Sequence, residues 1–228
     1  MANIDKDLIS NKTSCYIFDI DGCIADVDHL LLTYEQAYEK NMEAFNLAEE
    51  KYKSEYKSDY NAYQYDLKQY NKNLLTTKPI EPIAPIRPAK YDANKKDRWD
   101  VGYFYNHIEE AIPIGGVLDL FIALALTKKV IFLTGRNESS RPATLEWLKK
   151  AIAERSTGDM FRRINFQMIF KPDKNNDSTE KFKREKVLEL AKQYNIQFII
   201  DDCPANIEEF TKLGFFTLTP NRIYKDLK

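Results

Sequence analysis

The stretch 15–26 constrains the fold of this chain more than any other part of the sequence. An apolar run of strand length ends there in Asp19 and Asp21, and Gly22 follows directly. Successive side chains of a strand point to opposite faces, so the two carboxylates leave the strand on the same side. Carboxylates that converge at the end of a buried strand require a shared proton or a bound cation. On its own, the stretch is equally compatible with a core strand that ends in an ordinary Asp-Gly turn.

Composition places the chain among ordinary globular proteins. The 228 residues are 43% hydrophobic and carry a formal net charge of -1, which provides no general electrostatic surface for nucleic acid. The polar residues 1–13 predict no signal peptide, and no run is long and apolar enough to span a bilayer. The three cysteines lack paired spacing and predict neither disulfides nor a zinc site. We therefore expect a reduced, cytoplasmic protein without membrane contact.

Residues 28–97 follow a different pattern and are predicted to be a helical insertion. No glycine occurs in 23–101, and apolar and aromatic residues, many of them tyrosine, recur three or four positions apart in 31–74. This period is typical of an amphipathic helix. One helix over residues 30–75 would be about 70 Å long. We therefore expect a hairpin of two antiparallel helices, with its bend near Asn46 or at 58–61.

The tyrosine-rich insertion has two interpretations. In the first, it is a lid whose tyrosine rings stack on a base or sugar. In the second, which we favour, it is a helical seam in which each ring is buried and each hydroxyl stays solvated. Interleaved lysines and acids do not support a phosphate-binding surface. The prolines of 79–88 predict an extended strap that returns the chain, although a ligand for a proline-recognition module has the same composition. The insertion is thus predicted to be a cap or an arm, and an arm could hold a homo-oligomer together.

Helical and stranded patterns alternate from Trp99 onward. Strands are predicted at 129–133, 164–170, 197–200 and 215–218, and helices at 103–111, 117–127, 141–153, 179–194 and 205–213. This alternation predicts an α/β fold, a Rossmann-like parallel sheet with helices on both faces. In such folds, ligands bind beyond the carboxyl ends of the strands. We expect residues 1–27 and 98–228 to form this core around the insertion.

Polar residues follow three of the predicted strands. Asp19 and Asp21 follow the first, Thr134, Gly135 and Arg136 the second, and Asp201 and Asp202 the last buried one. A lysine is available at the start of the helix before that last strand. Paired acids favour Mg²⁺, and a threonine and a lysine add the donors that a phosphoryl group requires. The sequence therefore predicts that these groups meet at one edge of the sheet.

These motifs resemble those of the haloacid dehalogenase-like (HAD-like) phosphohydrolases. Segments 18–22, 133–136 and 200–202 are similar to motifs I, II and IV, and 98–100, 111–117, 133–139 and 201–206 are similar to the phosphatase domain of polynucleotide kinase-phosphatases. The resemblance covers 14–27 and 98–220 and leaves out the insertion. No kinase loop of the form G-x-x-x-x-G-K-[ST] occurs, so the resemblance concerns the phosphatase half alone.

The resemblance implies a role for each matching acid. Asp19 would be the nucleophile that forms an aspartyl-phosphate, and Asp21 would protonate the leaving oxygen and then activate water. Asp19, the backbone carbonyl of Asp21 and the carboxylate of Asp201 would hold Mg²⁺, with Asp202 acting behind them. Thr134 would donate a hydrogen bond to the transferring phosphoryl group.

The lysine of motif III is the one role with several candidates. Lys183 best fits the family spacing, and Lys186 and Lys181 are alternatives. Cys23 stands where the family usually has threonine, which removes a strong hydroxyl donor from the loop after the first strand. This departure affects fine positioning rather than the class of reaction.

Three further residues are predicted to bind substrate, namely Gly135, Arg136 and Lys171. Arg136 can equally be a structural salt-bridge partner. Lys171 stands where relatives of this branch often carry arginine, and lysine keeps the charge but loses bidentate recognition of phosphate.

Several functions agree with these residues. The leading one is a Mg²⁺-dependent phosphomonoesterase, and the inserted cap and neutral charge favour a nucleoside monophosphate, as for a 5′-nucleotidase. The resemblance to polynucleotide phosphatases favours a nucleic-acid 3′-phosphate instead. A hypothesis of another class is a partner-binding or assembly protein with a vestigial site, against which the retention of both Asp19 and Asp21 argues. Phosphotransfer to an acceptor other than water is also open.

Overall fold

The computed structural model describes residues 12–80 and 83–220. At residues 56–60 it describes the helical backbone but not the side chains. The strands are β1 (Ser14–Phe18), β2 (Ala25–Asp26), β3 (Ile112–Pro113), β4 (Lys129–Asn137), β5 (Phe166–Lys171), β6 (Asn195–Ile200) and β7 (Thr217–Leu218). The α-helices are α1 (Tyr34–Asn71), α2 (Val101–Asn106), α3 (Gly115–Ala125), α4 (Arg141–Arg155), α5 (Met160–Arg163), α6 (Thr179–Gln193) and α7 (Pro204–Lys212). The chain divides into two compact units, Met1–Leu30 with Phe104–Lys228, and Leu31–Tyr103.

The first unit is built on a five-stranded parallel sheet with the order β5-β4-β1-β6-β7. Strand β1 is central, and its last residue, Phe18, pairs with Phe132 of β4 and Ile200 of β6. The carboxyl ends of these three strands therefore lie side by side. A short antiparallel pair, β2 with β3, stands apart from this sheet. The structure thus confirms the predicted α/β fold with a parallel sheet.

Alternate strand residues pack against helices on opposite faces of the sheet. Ile17 belongs to an apolar cluster with Val187 of α6 and other residues of α6 and α7. The next residue, Phe18, contacts Phe121 of α3 with their ring centroids 6.2 Å apart. Because side chains alternate along a strand, these two neighbours pack into different layers. Helices therefore cover both faces of the sheet, as predicted.

Strand β4 is longer than the sequence predicts. It continues to Asn137, so that residues 134–136 belong to the strand instead of following it. The pairing of β4 with β5 shifts register between Leu133 and Asn137, so these polar residues lie where the regular ladder is interrupted. The helix predicted at 103–111 is also shorter, since α2 ends at Asn106.

The second unit contains one long helix, and the predicted hairpin is wrong. Helix α1 is continuous for 38 residues, which corresponds to roughly 57 Å. Neither Asn46 nor 58–61 supplies a glycine or proline that would break it, and pairs such as Lys53 with Glu49, 3.0 Å apart, reinforce it. The helix is followed by Asn73 in the left-handed region, with φ of 58°. None of the described helices, α1 included, is both long and apolar enough to cross a membrane.

The tyrosines of α1 are only partly covered within their own unit. A capping box at Thr33 starts the helix, and the rings of Tyr34 and Tyr38 contact Tyr91 of the returning chain, with centroids 5.8 and 5.1 Å away. Among the described side chains of α1, only Ala37 is buried. The choice between a lid, a seam and an oligomerising arm stays a prediction.

The proline-rich segment is not helical where the structure describes it, as its prolines predict. Its described residues, 79, 80 and 83–88, belong to no helix or strand. The side chains of Ile83 and Ile86 are 85% and 89% exposed, so the segment packs little of its apolar surface. Its roles as a strap or as a ligand for a proline-recognition module stay predictions.

Candidate active site

Asp19 begins a tight loop that follows β1. Its backbone N–H donates to the carbonyl of Ile200 on β6 at 2.8 Å, which ties the start of the loop to the neighbouring strand. Gly22 adopts a left-handed φ of 72°, which other residues rarely take. The loop then folds back, and the carbonyl of Ile20 accepts the N–H of Cys23 at 3.2 Å. This turn buries Cys23 completely within the first unit.

Lys183 joins the ends of two strands through ion pairs. Its Nζ lies 2.8 Å from Oδ2 of Asp19 and 2.8 Å from Oδ2 of Asp201. The side chain is 2% exposed, and although burial opposes its charge, the two carboxylates raise the pKa of Lys183 above its usual value. Lys181 and Lys186 pair with other acids. Of the three lysines considered from the sequence, Lys183 is the one that reaches the predicted site.

Asp201 has hydrogen-bond partners on both carboxylate oxygens. The side-chain amide of Asn206 donates to Oδ1 at 2.9 Å and to Oδ2 at 3.1 Å, and the backbone N–H of Cys203 donates to Oδ1 at 3.0 Å. Together with Lys183, these donors hold the carboxylate in one orientation. The sequence did not predict a role for Asn206. Its position five residues after Asp201, within the matched segment 201–206, was the available signal.

Asp19 keeps one carboxylate oxygen without a partner. Oδ2 accepts from Lys183, whereas Oδ1 is buried and accepts no hydrogen bond from the residues that the structure describes. Burial raises the pKa of Asp19 above its usual range, Lys183 opposes this rise, and the charge of Asp201 adds to it. A buried polar atom without a partner costs about 1–3 kcal/mol. Oδ1 is therefore the atom of this carboxylate that is left for a ligand.

Arg136 holds the second acid of the pair. Its Nε lies 3.1 Å from both carboxylate oxygens of Asp21, and Nη2 lies 2.6 Å from Oδ1. Nη1 donates to the hydroxyl of Thr144 at 3.0 Å, and the guanidinium lies 5.6 Å from the ring centre of Phe104. The Arg136 side chain is 1% exposed, whereas that of Asp21 is 28% exposed. The guanidinium thus fixes a carboxylate that solvent can still reach. No sequence signal pointed to Thr144.

The other residues predicted at the site have partners within the protein. Thr134 is fully buried, and its Oγ1 accepts the backbone N–H two residues on at 3.1 Å, so its own proton remains to be donated. Gly135 faces Thr179, since an added Cβ would lie 2.7 Å from Cγ2 of that residue. Nζ of Lys171 donates to the backbone carbonyl of Asp177. Contact of these residues with substrate stays a prediction.

The donors that the structure groups for a possible cation share Asp19 and Asp202 with the predicted set and add Cys23. One ligand atom from each of Asp19, Cys23 and Asp202 lies within 4.8 Å of the other two. The carboxylates of Asp201 and Asp21 are held by protein donors instead. The predicted contacts of Asp201 and of the Asp21 backbone carbonyl with the metal stay predictions. Oxygen donors and the unpartnered Oδ1 of Asp19 fit a divalent cation here.

Comparison with known proteins gives a structural likeness and no sequence match. No family model matches the chain, and no curated protein matches it. Two solved structures of the Pnkp1/Rnl/Hen1 RNA repair complex are similar over 92% of this chain, each with a TM-score of 0.50. The identities are 14% and 12%, and the chain spans 42% and 47% of the matched chains. The HAD-hydrolase YfnB from Bacillus subtilis, solved with magnesium, is similar over 90% of this chain and 87% of its own, with a TM-score of 0.45 and 14% identity.

The matched sheet and the placement of its polar residues agree with the resemblance found in the motifs. The chain shares its α/β fold with the matched chains of the repair complex. Within this fold, 18–22 lies at the end of β1, 133–136 in the last part of β4, and 200–202 at the end of β6. Because β1 lies between β4 and β6, the three segments that resemble motifs I, II and IV come together. The chain spans less than half the length of the repair-complex chains that it matches.

Proposed function

We propose that this chain is a divalent-cation-dependent phosphomonoesterase in which Asp19 is the nucleophile. The observation that carries the proposal is the buried carboxylate of Asp19, which Lys183 holds through Oδ2 and which leaves Oδ1 without a partner. A carboxylate with one oxygen fixed and the other available is arranged for in-line attack. The HAD-like fold and the motif resemblance support the same reaction class.

In the first step, Oδ1 of Asp19 attacks the phosphorus and the bond to the ester oxygen breaks. The carboxyl group of Asp21 gives its proton to the departing oxygen, so that an alcohol leaves instead of an alkoxide. Arg136 does not need to touch the substrate in this step. Its two-pronged contact with Asp21 orients the acid, and we assign it a positioning role.

In the second step, water hydrolyses the aspartyl-phosphate. The carboxylate of Asp21 takes a proton from the water as its oxygen bonds to phosphorus, and the Asp19 carboxylate departs. The hydroxyl of Thr134 donates to a phosphoryl oxygen, and Lys183 keeps its charge beside Asp19 throughout. A divalent cation held by Asp19 and Asp202 would reduce the repulsion between carboxylate and phosphate.

The two roles of Asp21 predict a burst in the variant Asp21→Asn. With p-nitrophenyl phosphate, whose leaving group needs little protonation, the first step proceeds and the second lacks its base. We expect a burst of p-nitrophenol equal to the enzyme concentration, followed by steady turnover lowered roughly 10²- to 10⁴-fold. Rapid-mixing absorbance measurements report both phases.

A matched control for this variant is Asp119→Asn, which changes an exposed acid paired with Arg155. It should show no burst and retain ordinary turnover. If Asp21→Asn instead shows a linear time course at the rate of the unaltered protein, Asp21 acts neither as the acid of the first step nor as the base of the second.

We further propose a nucleoside monophosphate as the substrate class. Binding of a nucleic-acid backbone draws on several unpaired lysines and arginines. Here the two predicted substrate cations, Arg136 and Lys171, already have partners within the protein, and the chain carries a net charge of -1. A polynucleotide 3′-phosphate is the second candidate, supported by the motif resemblance and by the fold shared with chains of an RNA repair complex.

The two substrate classes are separated by one comparison of rates. Mg²⁺-dependent release of phosphate is measured from deoxynucleoside monophosphates and from a single-stranded oligonucleotide with a 3′-phosphate. We expect kcat/KM to be at least about tenfold higher for the mononucleotides. A preference for the oligonucleotide would reverse the assignment. Release from neither, nor from a broad panel of phosphomonoesters, would favour the partner-binding alternative.

A further inference from the structure

We propose that Cys23 supplies a sulfur ligand to the cation cluster, so that this chain binds thiophilic divalent cations such as Zn²⁺ and Cd²⁺ between Asp19, Cys23 and Asp202. The inference goes beyond the phosphatase reaction and does not depend on it. Its starting observation is that one ligand atom from each of these three residues lies within 4.8 Å of the others.

The backbone of the loop after β1 fixes the sulfur at this position. The N–H of Cys23 donates to the carbonyl of Ile20 at 3.2 Å, and the following N–H of Ile24 donates to the same carbonyl at 3.0 Å. The residue is fully buried, and its thiol makes no hydrogen bond with the described residues. The sulfur is therefore held in place without a competing partner.

A second, independent observation points to a ligand at the same place. Oδ1 of Asp19 is buried without a hydrogen-bond partner among the described residues, and its side chain is 7% exposed. Zinc holds sulfur at about 2.3 Å and carboxylate oxygen at about 2.1 Å, so two ligand atoms on one ion lie up to about 4.4 Å apart. A small movement of the side chains would therefore bring the three ligand atoms, now within 4.8 Å of one another, to the distances that one ion requires.

Charge and ligand type decide which cations this set prefers. Asp19 and Asp201 share the ammonium of Lys183, and Asp202 adds a further carboxylate to the cluster, so the set suits a divalent charge. An all-oxygen set suits Mg²⁺, whereas a sulfur donor shifts preference toward Zn²⁺ and Cd²⁺. The spacing of the cysteines along the chain did not indicate such a site, because the partners of Cys23 are carboxylates.

Cadmium titration of the full, reduced and metal-free chain tests this inference. We expect a near-ultraviolet sulfur-to-cadmium charge-transfer band that saturates at a stoichiometric amount of Cd²⁺. Cys23→Thr, which installs the residue usual at this position in the resembled family, should lose the band and bind Cd²⁺ roughly 10- to 100-fold more weakly. Its affinity for Mn²⁺, followed by electron paramagnetic resonance, should change far less.

The matched control is Cys203→Ser, since Cys203 lies close in sequence to Asp202 and contributes no atom to the cluster. It should retain the band, and circular dichroism should show that both variants are folded. A band that survives in Cys23→Thr, or no band in the unaltered chain, would overturn the inference. Cadmium NMR of the unaltered chain gives a second reading: a shift typical of oxygen ligands alone would also overturn it. Phosphate release with Mg²⁺, measured in parallel, reports separately on the proposed function.

Discussion

The variant Asp19→Asn is expected to lose phosphate release by at least about 10⁴-fold, because it removes the attacking oxygen and not merely a helper. The amide has nearly the shape of the carboxylate, and the backbone N–H of residue 19 keeps its hydrogen bond to Ile200. The variant should therefore fold, which circular dichroism and urea denaturation will show. Steady-state release of phosphate with Mg²⁺ is the measurement, and a chelator should abolish turnover of the unaltered protein.

Asp202→Asn is the control that separates attack from cation binding. Asp202 lies in the same cluster as Asp19 but has no part in the covalent step. Its activity should fall at low Mg²⁺ and recover as Mg²⁺ is raised, whereas Asp19→Asn should stay inactive at every concentration. Substantial turnover by Asp19→Asn would exclude the covalent mechanism.

The variant Lys183→Met is expected to have the largest effect on stability. It leaves the buried carboxylates of Asp19 and Asp201 without the ammonium that lies 2.8 Å from each. Removal of one partner from a buried ionic group costs about 3–5 kcal/mol in the free energy of unfolding. Urea denaturation in the presence of chelator measures this loss, and phosphate release should be lost with it.

The loss should depend on pH in a defined direction. Burial already raises the pKa of Asp19 in the folded protein, and removal of the ammonium raises it further. Above about pH 8, where Asp19 of the unaltered protein has released its proton, the folded variant still binds one that its unfolded chain has released, so its stability keeps falling and the deficit grows as pH rises from about 8 to about 10. A deficit that instead shrinks across this range would contradict the assigned ion pairs.

Lys186→Met is the matched control on the same helix. Lys186 pairs with Glu189, and both side chains are partly exposed. The change should alter the unfolding free energy by no more than about 0.5 kcal/mol. Combining Lys183→Met with Asp201→Asn should restore part of the stability, because one of the two unpaired carboxylates is removed. Equal losses of unfolding free energy for Lys183→Met and Lys186→Met would show that the ion pairs of Lys183 do not stabilise the fold more than an exposed pair does.

The core fold and the meeting of the acids could be predicted because both depend on local pattern and on strand direction. Apolar runs located the strands, and polar residues at the ends of parallel strands must meet at one edge. Lys183 could be selected from three lysines because it best fits the family spacing, and on α6 it lies on the same side as Val187 and Leu190, which pack into the core. Because this side of α6 packs against the sheet, Lys183 also points toward the sheet.

The long helix could not be assigned from periodicity, since the same pattern fits one helix or two. The expectation of a bend rested on length alone, and the absence of glycine and proline from 23–78 was the stronger signal. A helix usually ends or bends at a glycine or proline, and α1 contains neither.

Side-chain partners at the site also lay beyond the sequence. The contact of Arg136 with Asp21 joins residues 115 positions apart, and it depends on strand order and on side-chain rotamers. The sequence also could not show which of Asp201 and Asp202 lies in the cluster with Asp19 and Cys23. Neighbouring residues point in different directions, and only the geometry of the loop after β6 decides which one lies near Cys23.

If Asp19 accepts the phosphoryl group, as we claim, a phosphorylated form of the protein can be trapped. Asp21→Asn is mixed with p-nitrophenyl phosphate and Mg²⁺, quenched in acid during the burst, digested and analysed by mass spectrometry. We predict an acid-stable, hydroxylamine-sensitive phosphate on the peptide that contains Asp19, absent when Asp19→Asn is added to the same variant. A phosphate on any other residue, or a burst of p-nitrophenol without a phosphorylated peptide, would contradict the claim.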